Sequence, residues 1–246
     1  MKLKYSRTML VGLAFLSICA FWQMYDNVIP LILTNTFHMN ETYSGAIMAA
    51  DNVLALFLLP LFGQISDRTN TKIGKRMPFI LIGTAAAIIL LNLLPLFDNA
   101  YYAQFAETGA GSVLTLICFV VTLGLLLISM GVYRSPAVAL MPDVTPKPLR
   151  SKANAVINLM GAVGGIIYLG IAAVLYPNSK TAGLEHVDYQ PLFIVVGAIM
   201  LAAVAVLFLT IREPKLTAEN RELEKSIPNG IWRKATVPAA KCCRSL

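Results

Sequence analysis

Acids are scarce in this chain, and two of them, Asp26 and Asp51, lie inside long apolar runs. A charge held in hydrocarbon costs roughly 2.5–3.5 kcal/mol on insertion scales, so such a residue usually faces a water-filled cavity or a partner. Beside these acids stand Trp22, Gln23, Asn27 and Asn52. Amides and an indole around two carboxyls suit a polyhydroxylated ligand: the amides and acids bond hydroxyls, and the ring covers an apolar face. The chemistry this implies is binding and proton exchange. Asp51 is the stronger candidate, because Asp26 lies nearer the end of its run and has the plainer alternative of reaching interfacial water. Bond-breaking chemistry finds no support. Cys19 and Cys118 lie in apolar runs, Cys242 and Cys243 are adjacent near the end, and His38 and His186 fall in predicted loops. No metal-ligand spacing and no nucleophile with its base is visible, so neither a cofactor nor a metal is expected.

A second constellation is charged and compact. It runs Gly63-Gln64-Ile65-Ser66-Asp67-Arg68 and then Gly74-Lys75-Arg76-Met77-Pro78-Phe79, with Arg134 and Asp143 farther along. Gly63 lets two helices approach closely. Asp67 can accept from guanidinium or backbone N–H groups, and Gly74 permits a turn that L-residues resist. Such a cluster suits a latch between helices. The loop lysines and arginines alone could reflect topology, but topology does not account for the Gly and Asp spacing. Arg134 has two readings, pairing with an acid across the bundle or extending to the interface.

The elements that must position these groups follow from composition. The 246 residues are 57% hydrophobic and 13% charged, too apolar for a soluble fold of this length. Six continuous apolar stretches reach the roughly 20 residues needed to span hydrocarbon as a helix. They are Thr8–Leu33, Ser44–Gln64, Met77–Phe97, Ser112–Tyr133, Ala155–Leu175 and Pro191–Ile211. They do not alternate as barrel strands would. The first also resembles a signal peptide, but Ile18 suits a cleavage site poorly and the apolar run resumes to Leu33. An all-α integral membrane protein is therefore expected, a six-helix bundle over residues 1–212 and a largely disordered tail over 213–246, helical at most from Glu213 to Lys225.

The net charge of +7 is distributed between spans, which argues against nucleic acid as a partner. Lys2, Lys4 and Arg7 precede the first span. Arg68, Lys72, Lys75 and Arg76 follow the second; Lys147, Arg150 and Lys152 follow the fourth; eight more run from Arg212 to Arg244. The loops between (Asn35–Tyr43, Asp98–Gly111, Pro177–Gln190) hold one basic residue, Lys180. The positive-inside rule then puts both termini in the cytoplasm, as expected of a multi-pass protein of the cell membrane. At 1.5 Å per residue, Asp26 and Asp51 differ in depth by only a few Å, with Asp51 about 10 Å below the outer edge.

The Gly63–Arg76 stretch resembles the signature of the major facilitator superfamily. Pro60 before Gly63, and Gly74 through Thr84, are similar to the glycoside–cation symporters and sucrose transporters. So is Ser135-Pro136-Ala137-Val138-Ala139-Leu140-Met141-Pro142-Asp143 with Ala153-Asn154-Ala155 and Gly161–Gly165. The resemblance spans roughly residues 8–212. It implies half of a twelve-helix design, built as 3+3 inverted repeats, with substrate bound near the midplane. A lipid bilayer, a sugar, a coupling proton or cation, and a second six-helix half or a homodimer are the partners it implies. Two positions depart from the pattern. Ala55 and Leu59 stand where melibiose-type carriers place cation-binding aspartates, and Val138 aligns with a sucrose-carrier arginine. Proton coupling is thus favoured over sodium. The alternatives are a non-transporting assembly subunit or inactive fragment and, from another class, a polytopic membrane enzyme.

The topology has a direct readout. Single cysteines at Asn40, Glu107 and Asn178 should react with an impermeant thiol reagent from outside intact cells, and one at Asn70 should not. Labelling at Asn70 with protection at Asn40 would invert the assignment.

Overall fold

The computed structural model describes residues 5–109, 111–181, 184, 186–211 and 213–226. Among them are eight α-helices: α1 (Tyr5–Leu31), α2 (Glu41–Arg68), α3 (Met77–Thr108), α4 (Val113–Val144), α5 (Arg150–Leu175), α6 (Asn178–Thr181), α7 (Gln190–Thr210) and α8 (Glu213–Ser226). Six of these, all but α6 and α8, are long and apolar enough to cross a membrane. The expected six-span, all-α fold is observed.

Several helices outrun the apolar stretches that announced them. Helix α3 continues past Phe97 to Thr108, α4 continues past Tyr133 to Val144, and α5 begins at Arg150. Hydrocarbon thickness limits the apolar window but not the backbone, which stays helical in water until something stops it. For α3 the stop is Gly109 at φ 69°, a left-handed cap whose N–H bonds the Phe105 carbonyl. Helix α1 ends differently. After Pro30 it opens into a wider π-type turn over Ile32–Thr36, closed by Phe37 N–H donating to the Ile32 carbonyl at 3.2 Å.

Packing follows a pattern that repeats. Helix α1 packs chiefly on α5 and α7, α4 packs chiefly on α3 and α2, and the two groups join through α1 against α4 and α3 against α7. Exchanging α1 with α4, α2 with α5 and α3 with α7 leaves this set of contacts unchanged. Because α1 and α4 are separated by an odd number of crossings, they run in opposite directions. The relation is the inverted 3+3 arrangement.

Membrane helices lack a hydrophobic drive toward one another and associate through close packing and interhelical hydrogen bonds. Both devices occur at the central contacts. Gly164 of α5 lies against the Leu16 carbonyl, and Gly83 of α3 against the backbone of Tyr133. The Tyr133 hydroxyl, fully buried, shares a 2.6 Å hydrogen bond with Ser17 and lies 3.1 Å from the Ala14 carbonyl, tying α4 to α1. Helix α2 is the exception: none of its apolar window is buried within the chain, and Leu56 and Phe57 are exposed. Helix α8 lies across the end of the bundle where α1 begins, with Arg7 and Glu219 paired at 3.1 Å. Residues 227–246, expected to be without order, lie outside the described residues.

The close approaches make a contrast. Gly164→Ala puts a methyl into the Leu16 backbone and should destabilise the bundle by about 1–3 kcal/mol. Gly170→Ala on the same helix, where a Cβ meets nothing within 4 Å, should be neutral. Thermal unfolding of the two purified variants checks this, and equal melting would exclude the α1–α5 contact as drawn.

Candidate functional site

Two sites emerge, one mid-bundle and one at its end. The first lies where α1, α2 and α4 converge. Trp22 is on α1, Asp51 on α2 and Arg134 on α4, and all three line one cleft with Ala55, Leu59 and Gly131. The Arg134 guanidinium sits 5.5 Å from the Trp22 ring centroid, a cation–π arrangement. Asp51 feels both the Asp26 carboxyl and the Arg134 charge. Arg134 thus lies in this cleft and outside the hydrogen bonds of the end-of-bundle network. In a helix extending from Val113 to Val144 it sits about three turns inside the α4 terminus, near Asp51.

Asp26, Gln23, Asn27 and Asn52 are exposed and do not line the cleft. Asp26 lies near Asp51, and Asn27 Nδ2 donates to the Gln23 carbonyl at 2.6 Å. Gln23 also packs against Gly165 of α5. Trp22 Nε1 and the Tyr25 hydroxyl are buried without hydrogen-bond partners. Orphaned donors of this kind are costly unless something else satisfies them. Here they stand beside two acids and an open face. Tyr25 was not anticipated. One turn after Trp22, it presents a ring stacked on Phe21 and edge-on to Trp22, and the i, i+3 spacing was the signal available.

The second site is the network at the α2–α3 connection. Arg76, its side chain 7% exposed, donates from Nε to Asp143 Oδ2 at 3.0 Å and from Nη2 to Asp67 Oδ1 at 2.5 Å. Its Nη1 reaches Ser66 Oγ at 2.6 Å and the Gly63 carbonyl at 3.4 Å. One guanidinium thus holds the ends of α2 and α4 to the start of α3, using the fork geometry that lysine lacks. Gly63 lies against Ser135 of α4, whose hydroxyl donates to the Leu59 carbonyl at 2.7 Å. Arg68 is exposed and, among the described residues, stands outside this set.

Glu213, on the far side of α7 in sequence, completes the network. Its carboxylate is 3% exposed and accepts the backbone N–H groups of Lys75, Arg76 and Met77 at 2.9–3.1 Å. These are donors a helix start leaves unsatisfied, and a negative charge there complements the helix dipole. Gly74, at φ 136°, leaves the room this carboxylate occupies, and any side chain there would run into it. Asn220 of α8 adds a 3.0 Å bond to the Asp143 carbonyl. Sequence reading assigned Glu213 to the tail because nothing local marks a contact with a segment 138 residues earlier.

Comparison with known proteins agrees with the architecture. A family model described as Major Facilitator Superfamily matches residues 11–241. The chain is 27% identical over 138 residues to the sucrose transport protein SUC3 of Arabidopsis thaliana, covering 54% of this chain and 23% of that protein. It is 27% identical over 174 residues to the alpha-ketoglutarate permease of Escherichia coli K12, covering 71% and 34%. It is 22% identical over 194 residues to the general alpha-glucoside permease of Schizosaccharomyces pombe, covering 79% and 34%. The matched regions thus span about a quarter to a third of these relatives.

Removing Arg76 should expose what the network costs when broken. Arg76→Met leaves Asp67 and Asp143 facing each other without their cation and should lower stability by about 1–3 kcal/mol. Adding Asp143→Asn to that variant should recover part of the loss. Additive losses in the double variant, measured by thermal unfolding, would mean that the ion pair does not couple these helices.

Proposed function

We propose, of a chain that belongs to the major facilitator superfamily, that it forms one six-helix half of a sugar transporter coupled to protons. The observation that carries this reading is the convergence of Trp22, Asp51 and Arg134 on one cleft, where the Trp22 indole N–H is without a partner. Sugar hydroxyls supply both donors and acceptors, so one sugar could satisfy the indole N–H while bonding Asp51. The relatives named for sucrose and alpha-glucosides support a glycoside as the substrate class.

The cleft wall offers Ala55 and Leu59 where a sodium site would need carboxylates, which favours a proton as the coupling ion. Asp51 is the residue we assign to it, with Arg134 as the neighbouring cation that responds when its charge appears or disappears. The exposed face of α2, together with Asp26, Asn27 and Asn52, is then the wall that a second six-helix unit covers. That unit is either a separate chain or the remainder of a longer one. The basic loops favour a cell-membrane protein with the Arg76 network and both termini on the cytoplasmic side. There the network latches α2, α3 and α4 in one conformation and yields in another. Asp67 and Gly63 act in that exchange, remote from the sugar.

Asp51→Asn keeps shape and hydrogen bonding but removes titration. In a complete two-half transporter carrying this chain, the variant should still bind and exchange sugar while losing accumulation driven by a pH gradient. Weakened binding at every pH, with coupling surviving, would make Asp51 a sugar ligand only. Unchanged accumulation would exclude both roles.

A further inference from the structure

The exchange symmetry of the bundle has a consequence at the end opposite the Arg76 network. Swapping α3 with α7 and α4 with α1 maps the start of α3 onto the start of α7. It maps the end of α4, where Asp143 sits, onto the end of α1, where Thr36 sits. It maps the segment just past α7, which supplies Glu213, onto the far end of α3. A second network stands at that mapped place. Asp188, just before α7 and so not the swapped counterpart of Glu213, accepts the Gln190 N–H at 2.9 Å in a local cap of the same kind. Asn99 of α3 donates to Asp188 Oδ1 at 2.9 Å, and the Tyr176 hydroxyl at the end of α5 donates to the Asp188 carbonyl at 2.8 Å.

At the centre, where the first network has a guanidinium, this one has an imidazole. His186 Nε2 lies 2.9 Å from Asn99 Oδ1, and Nδ1 lies 3.3 Å from the Thr36 hydroxyl. Its ring stacks on Tyr102 at 4.3 Å between centroids and 14° between planes. Neutral imidazole satisfies both contacts, with Nε2–H donating to Asn99 and Nδ1 accepting from Thr36. Asp98, next to Asn99 on α3, is fully buried, and the Thr36 hydroxyl lies close to its carboxyl as well as to His186.

We propose that His186, bridging Thr36 and Asn99, is an acid-released clasp that ties the α5–α7 connection to α1 and α3. The groups facing it are Thr36 from α1, Asp98, Asn99 and Tyr102 from α3, Tyr176 from α5, and Asp188 and Tyr189 before α7. Among the described residues, none of these is an arginine or a lysine. Burial lowers the His186 pKa from its ordinary value, and the Asp188 carboxylate offsets this only in part. A ring whose pKa is depressed in the clasped form binds its proton more tightly once released into water. Stability of the clasp is therefore present above the ordinary histidine range and is lost as pH falls through it. A guanidinium would hold at every physiological pH; an imidazole makes this end of the bundle conditional.

Backbone hydrogen exchange of the purified full chain in detergent tests this, corrected for intrinsic rates. One proton shifts an opening equilibrium by at most about tenfold per pH unit. Protection at the Gln190, Leu192 and Phe193 amides, which bond Asp188 and Tyr189, should fall at least about threefold between pH 7.5 and 5.5, while the α1–α5 contact region keeps its protection. His186→Gln, whose amide can donate to Asn99 and accept from Thr36 without titrating, should be protected equally at both values. Asn99→Leu, which removes a partner and leaves the ring, should be unprotected at both. Protection independent of pH in the unaltered chain, or pH dependence that persists in His186→Gln, would overturn the proposal.

Discussion

A helix surrounded by lipid gains nothing by hiding apolar side chains, because the lipid is as apolar as its neighbour. What remains to hold this bundle together is backbone-to-backbone proximity and a few buried polar bonds. That constraint explains why glycine marks the tightest crossings. Gly164 gives α5 access to the Leu16 carbonyl, and Gly83 gives α3 access to the Tyr133 backbone. It also explains a buried hydroxyl pair between the two units. Tyr133 and Ser17 meet where α1 crosses α4, the helix pair that maps onto itself when the two three-helix units are exchanged. A bond between these helices ties one unit to the other.

From that contact the rest of the arrangement follows in layers. The middle of the bundle holds aromatic and charged groups whose hydrogen bonds are incomplete: Trp22 Nε1 and the Tyr25 hydroxyl lack partners, and Asp51 shares a cleft with Arg134. The ends hold hydrogen-bonded networks, though Asn220 Oδ1 and the Thr217 hydroxyl at the Arg76 end lack partners. Glu213 and Asp188 each accept backbone N–H groups at the start of a helix, α3 in one case and α7 in the other. Unsatisfied polar atoms in the interior are tolerated where the surrounding packing over-determines them, and they are characteristic of sites that take a ligand. The hydrogen-bonded networks at the two rims supply that determination. The two rims differ in chemistry, one centred on a permanent cation and the other on a titratable ring, although the fold places them equivalently.

Much of this was legible in the chain. Six apolar runs and the alternation of basic loops specify the spans, because hydrocarbon admits only helices of a certain length and loop charge biases orientation. Gly63, Asp67, Gly74 and Arg76 were recognisable as a set because they sit within 14 residues of one another. Trp22 and Asp51 were recognisable because polar groups in apolar runs are expensive. Arg134 was harder. An extension of the fourth helix to about Met141 was legible, and α4 does run to Val144. Which of its possible partners Arg134 meets depends on how α1 and α2 pack against that helix.

What the amino-acid order determined by itself is therefore everything governed by local composition: helix number, span length, loop charge, and the short-range glycine and acid pattern of the α2–α3 turn. The tertiary structure decided which distant groups meet. Glu213 caps α3 from beyond α7. His186 joins Thr36 across 150 positions. The inverted relation between α1–α3 and α4–α7 leaves no repeat visible in the residues. The reason is physical. Lipid-facing positions accept any apolar side chain of suitable size, so the two units are free to diverge in sequence, while crossing angles and close contacts, which depend on backbone geometry, preserve the symmetry.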